Sequence, residues 1–182
     1  MRVIAGRWKG RRLLAAKGMN TRPTADMVKE AIFNILQQRI AGSSVLDLFA
    51  GTGNLGLEAL SRGCSRVVFV EKDSRAVDVL NKNRANLGCL EQTTVMRYDV
   101  FHAIKRLSGK ERFDIIFADP PYSKGLEVPL LNAIADSDIL HEDGIVVLEH
   151  SSRDHQPDRV GNLVKLQDRH YGDTVISLYK KE

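Results

Sequence analysis

The sequence predicts an α/β fold in which a mostly parallel sheet is covered by helices on both faces. Three observations carry that prediction. Short, wholly apolar runs recur at residues 45–49, 67–70, 115–118 and 145–148, and runs without polar alternation suit strands buried on both sides. Helical stretches separate them, as crossovers between parallel strands require. The first run leads straight into Gly51-Thr52-Gly53-Asn54-Leu55-Gly56, a strand–glycine–helix junction.

From the N-terminus, residues 1–22 hold Arg2, Arg7, Lys9, Arg11, Arg12, Lys17 and Arg22 and no acid. The remaining chain carries 20 bases against 23 acids, so a basic arm is joined to a body of net charge −3. Val3-Ile4-Ala5 and Leu13-Leu14-Ala15 flank Gly6-Arg7-Trp8-Lys9-Gly10 and predict the two short strands of a β-hairpin. Trp8 is expected to pack beneath that hairpin, or else to stack on a base. A stripe of Val28, Ala31, Ile32, Ile35, Leu36 and Ile40 predicts a helix over 24–40, with Thr24 or Asp26 able to cap it. Helices follow near 54–62, 74–87 (Asp73 as N-cap), 100–107 and 127–136, and Thr93–Tyr98 is a more polar strand. Residues 151–161 read as a polar loop. The segments 162–167 and 174–179 have no helix between them and fit an antiparallel hairpin at one edge, giving seven strands in all. The expected division is an arm over 1–22 and one compact domain over 23–182.

With 182 residues, 43% apolar and 27% charged, the composition is that of an ordinary globular domain. Apolar runs of four or five residues are too short to span a membrane, and the basic N-terminus lacks a continuous apolar stretch for export. Cys64 and Cys89 stand apart from any metal-type spacing, and the five histidines form no cluster, so no metal is expected. Two reduced cysteines fit a cytoplasmic protein.

In an open parallel sheet the ligand lies beyond the carboxyl ends of the strands, where strand order reverses. Asp47, inside the first strand, opens a D-x-F-x-G-x-G pattern that continues through Gly51, Gly53 and Gly56. Glu71 ends the second strand, 20 residues past Gly51, where a carboxylate can take both hydroxyls of a ribose. Asp99 ends the third as either a ligand or a helix cap. After Ile115-Ile116-Phe117-Ala118 comes Asp119-Pro120-Pro121-Tyr122. The Asp119 carboxylate and the Pro120 carbonyl can each accept one hydrogen from a planar exocyclic amine, and neither proline has an N–H to compete. The Tyr122 ring offers a face for a nucleobase. The basic arm, with Arg7, Trp8, Lys9, Arg11, Arg12 and Arg22, is the footprint of phosphate contact. A nicotinamide-dependent oxidoreductase shares the glycines and Glu71. It has no use for Asp119–Tyr122, however, and its pyrophosphate does not suit a loop led by Asp47.

These segments together resemble the class I S-adenosylmethionine-dependent methyltransferases acting on exocyclic amines, which are Rossmann-like. More narrowly, the chain resembles the RsmD family, the 16S rRNA guanine-N2 methyltransferases. Carrying that likeness are Gly6–Leu13, Thr21-Arg22-Pro23-Thr24-Ala25-Asp26 leading to Glu30 and Phe33-Asn34, Phe49–Gly53, and Gly56–Gly63. Lys29 departs from it, since that helix usually carries arginine. The resemblance implies methylation of guanine 966 in 16S rRNA, in an assembled or partly assembled small subunit. It also implies that Thr24, Asp47 and the 51–56 loop hold the methionine part of S-adenosylmethionine, Glu71 the ribose and Asp99 the adenine amine. Asp119, Pro120 and Tyr122 would hold the flipped guanine. An adenine-N6 methyltransferase acting on RNA or DNA would use the same tetrapeptide and stays open from the residues alone. A glutamine methyltransferase acting on protein usually carries Asn at the Asp119 position, and a non-catalytic RNA-binding factor would gain nothing from Asp119–Tyr122.

Overall fold

The computed structural model describes residues 1–17 and 23–182. Five helices and eight strands follow in chain order: α1 (Pro23–Ile40), β1 (Ser44–Leu48), α2 (Asn54–Ser61), β2 (Arg66–Val70), α3 (Ser74–Leu87), β3 (Thr93–Met96), α4 (Val100–Leu107), β4 (Phe113–Ala118), α5 (Glu127–Ala135), β5 (Leu140–Ser151), β6 (Arg159–Val160), β7 (Leu163–Tyr171) and β8 (Thr174–Lys181). They form one sheet ordered β3-β2-β1-β4-β5-β8-β7-β6. The first five strands of that order pair in parallel, and β8, β7 and β6 are antiparallel. Strand order reverses between β1 and β4, which places the switch point at the end of β1.

Alternation along the strands sorts the core into two layers. Val45, Val67, Phe69, Ile115, Phe117 and Val147 face α1, α2 and α3. Leu46, Leu48, Val68, Ile116, Val146 and Leu148 face α4 and α5. This is why the runs read as continuous apolar stretches. Each fully buried Phe or Leu contributes about 1.5–3 kcal/mol relative to exposure.

The structure corrects the sequence at four places. The sheet has eight strands, because Arg159 and Val160, expected in a loop, pair with Val164 and Leu163 around a two-residue Gly161-Asn162 turn. β7 continues to Tyr171, well past 167, because antiparallel pairing with β8 holds a strand whose side chains are largely polar. α1 begins at Pro23, so Asp26 lies in its first turn and not at the cap. The N-terminal hairpin forms a single antiparallel bridge, Arg2 to Arg12, and no regular strands. The Ile4 and Ala5 N–H groups, which a ladder would use, instead donate to the Glu58 carboxylate of α2 at 2.9 and 3.0 Å.

Val3, Trp8 and Leu13 are buried in the same core layer as α1 and α2. Their five-residue spacing fastens the N-terminal segment to the body while Arg2, Arg7, Lys9, Arg11, Arg12 and Lys17 remain exposed. Trp8 therefore packs, with the Arg7 guanidinium 4.2 Å from its ring centre. No helix among the described residues is long and apolar enough to cross a membrane.

Candidate active site

Two cavities of about 230 Å³ each open at the carboxyl ends of the parallel strands, and Phe49 lines both. The first is bordered by Lys29, Asp47, Gly51, Thr52, Asp119 and Glu149 among others. The second is more apolar, with Val70, Tyr98, Phe101, Pro121 and Leu126 around Glu71 and Asp99. Phe49 holds φ at 59° and Ser123, just after Tyr122, at 64°; they are the described non-glycine residues with positive φ. Such geometry costs on the order of 1–3 kcal/mol and persists where surrounding structure enforces it. Phe49 borders both cavities, and Ser123 follows the tetrapeptide Asp119–Tyr122.

Two carboxylates shape the glycine loop. Asp47 Oδ2 accepts the Gly56 N–H at 2.9 Å, and Glu71 Oε2 accepts the Gly51 N–H at 2.8 Å. Glu71 Oε1 also accepts the Asp73 N–H at 2.8 Å, so the end of β2 and the loop are tied through one side chain. Gly53 holds φ at 91°, and a Cβ there would lie 2.4 Å from Leu80 Cδ1. At Gly56 a Cβ would meet Phe69 Cε1 at 2.3 Å, so this glycine lets α2 lie close on β2. Gly51 borders the cavity, while Gly53 and Gly56 stand a layer behind it. Asp99 caps α4, accepting from the Phe101 and His102 N–H groups through Oδ1, and also lines the second cavity. Asp73 caps α3 as expected.

Asp119 directly follows β4, and Glu149 stands one strand over in β5. The Tyr122 hydroxyl donates to Glu149 Oε1 at 3.1 Å and lies 3.2 Å from Thr174 Oγ1 on β8. Pro120 is buried, and Tyr122 is 41% exposed, leaving room for a planar partner. Burial pushes the Asp47 carboxyl up to about 7, against the Gly56 hydrogen bond, with the Glu71 charge adding to the rise. Asp119 is raised well above the usual carboxylate range by desolvation, then by Glu149 and Asp47. Asp119 itself is exposed at the cleft mouth, so screening by solvent tempers that rise. Burial also raises Glu149, opposed by the hydrogen bond from Tyr122. The first cavity thus gathers Asp26, Asp47, Asp119 and Glu149 against Lys29. Among the described residues no group of His, Cys, Asp and Glu has the arrangement of a metal site.

The family model described as "Conserved hypothetical protein 95", which is the RsmD family, matches residues 1–180. The chain belongs to the RsmD family. Among its relatives is YlbH of Bacillus subtilis, provisionally named an rRNA methyltransferase, 42% identical over all of this chain and 99% of its own. Ribosomal RNA small subunit methyltransferase D of Escherichia coli K12 is 32% identical over 100% of this chain and 90% of its own length. The solved structure of yhhF from Escherichia coli, provisionally described as a methyltransferase, superposes with a TM-score of 0.89 at 31% identity, covering 100% of this chain and 98% of that one. The sheet and its class I methyltransferase architecture are shared with such neighbours.

Lys29, the departure within the RsmD family pattern, has a local reason. Its buried ammonium meets the Arg2 carbonyl at 2.7 Å, Asn54 Oδ1 at 2.8 Å and Glu58 Oε2 at 3.2 Å. Three acceptors match the three hydrogens of a point-like ammonium, so a guanidinium fork is unnecessary here. Desolvation lowers the Lys29 pKa, while Glu58 works against that. Sequence reasoning missed Glu58, Phe49 and Glu149. Only Glu149 had a local signal, a carboxylate ending an apolar run. Thr24 lies in α1 with its side chain outside the described residues, as is the whole of Arg22.

Proposed function

We propose that this chain transfers a methyl group from S-adenosylmethionine to the exocyclic N2 amine of a guanine in 16S rRNA of the small ribosomal subunit. Guanine 966 is the position the family likeness implies. The observation that carries this reading is the emergence of Asp119-Pro120-Pro121-Tyr122 from β4 beside the cavity that the glycine loop borders.

The residues present suit S-adenosylmethionine. The apolar second cavity, with Glu71 and Asp99 at its wall, fits a nucleoside. The first cavity, rich in carboxylates, complements a cationic ligand end. When bound, S-adenosylmethionine supplies an electrophilic methyl on a sulfonium. Asp47 and the Gly51 loop would hold the methionine end, Glu71 the ribose hydroxyls and Asp99 the adenine amine. Asp119 and the Pro120 carbonyl accept the two amine hydrogens, which draws the nitrogen lone pair out of ring conjugation and aims it. The lone pair forms the new C–N bond as the methyl–sulfur bond breaks, and the nitrogen then sheds one proton. Asp119 takes that proton, and its raised pKa makes it a better acceptor than an ordinary carboxylate. The exposed bases of residues 1–17 hold backbone phosphates while the target base turns out of its stack.

Labelled methyl transfer to small subunits, with DNA and protein as controls, tests the reading. Incorporation confined to rRNA guanine N2 supports it. Asp119→Ala should abolish transfer with cofactor affinity largely intact. Incorporation into DNA, protein or adenine would sink it.

A further inference from the structure

We propose that Glu149 is a specificity-determining residue: it accepts the N1 proton of the target guanine while Asp119 accepts from the neighbouring exocyclic amine. This rests on the methyl-transfer reading above and adds a recognition role to a residue outside the Asp-Pro-Pro-Tyr motif.

Register places the two carboxylates together. Ala118 pairs with Leu148 across parallel β4 and β5, so Asp119, just past the end of β4, lies next to Glu149, which is still within β5 and pairs with Ile176 of β8. Adjacent strands run about 4.8 Å apart, a separation on the scale of one base edge. Both side chains line the same cavity. Glu149 is held in place from behind, since Oε1 accepts from the Tyr122 hydroxyl, itself next to Thr174. Oε2 has no partner among the described residues and remains available to a ligand.

The chemistry of the edge then decides the base. Guanine presents N1–H and the N2 amine as adjacent donors, whereas adenine presents a donor beside the bare N1 acceptor. Ionised carboxylates only accept. Burial raises the Glu149 pKa, and the Tyr122 hydroxyl donating to it works the other way, toward the ionised acceptor. Two side-by-side acceptors therefore fit a donor–donor edge, and they leave an acceptor facing a lone pair when N1 carries no hydrogen.

The test uses 2-aminopurine, which keeps the 2-amino group but has no N1 proton. Small subunits are reconstituted on 16S rRNA carrying either guanine or 2-aminopurine at the target position, and labelled methyl incorporation is compared. The unaltered protein should prefer guanine by about tenfold or more in kcat/KM. Glu149→Gln, whose amide can still accept from Tyr122 or turn to donate to N1, should shrink that preference by about tenfold. Glu149→Ala should also shrink it, at a lower rate on both bases. An unaltered protein that does not discriminate, a preference preserved in both variants, or a Glu149→Gln protein that binds cofactor yet methylates neither base would overturn the proposal. Failure of the unaltered protein to methylate guanine subunits would instead strike the methyl-transfer reading itself.

Discussion

Asp47 occupies a row in which its strand partners are Phe69 and Phe117, so a carboxylate stands where the core calls for a ring. Its folded carboxyl keeps a proton until about pH 7, whereas an unfolded aspartate loses it near pH 4. Between those values the native state binds the extra proton, so this residue's contribution falls as pH rises through the window and levels off above it. The loss is on the order of 4 kcal/mol. Asp47→Asn keeps an acceptor for the Gly56 N–H and removes the charge. Denaturant unfolding at pH 5 and pH 8 should show the variant gaining on the parent protein with pH; a gap that stays constant would discard burial as the cause. Asp119 obeys the same electrostatics in catalysis. It must be ionised to take a proton, so the acid limb of kcat should lie above the ordinary carboxylate range. Glu149→Gln removes a neighbouring negative charge and should move that limb to lower pH, read from a rate–pH profile. Tyr122→Phe keeps the stacking ring and should retain much of the activity, whereas Tyr122→Ala should not. Equal losses would mean that the hydroxyl's hold on Glu149 outweighs stacking.

The N-terminal segment and α2 act as one unit through Glu58. That carboxylate is wholly buried and accepts from the Ile4 and Ala5 N–H groups while pairing with Lys29 and Arg62. Removing one side of a buried ionic network costs about 3–5 kcal/mol, so Glu58→Ala should lower unfolding stability by that amount. Limited proteolysis near residues 4–5 should accelerate in the same variant. The exposed bases of the segment are a separate matter. If four to six of them meet phosphates, RNA affinity should follow salt with a log–log slope of roughly −3 to −5. Replacing Arg7, Arg11 and Arg12 with glutamine should flatten it by about two to three units while cofactor binding is retained. An unchanged slope would make the segment a solvated surface only. The sequence displayed the charges and the buried Val3, Trp8 and Leu13. It could not display the shift in hairpin pairing, because the competing acceptor lies more than 50 residues away.

At the scale of the whole molecule, most of the architecture was legible because parallel strands buried on both faces leave an unmistakable apolar signature. The acids at strand ends were legible too, since the fold sends each of them to the same rim. Glu149 escaped because its importance comes from β5 lying beside β4, a neighbour relation visible only once the sheet is ordered. The eighth strand escaped for a humbler reason: β6 is two residues long, although Gly161-Asn162 is a recognised hairpin turn. That short strand has a consequence for the protein's behaviour at high concentration. β7 is nine residues long, and without β6 its outer flank would offer more unsatisfied backbone groups to another copy. Val160 is buried and seats β6, so Val160→Asp should release it. Light scattering of that variant, as concentration is raised, should reveal sheet-to-sheet aggregates that the parent protein does not form.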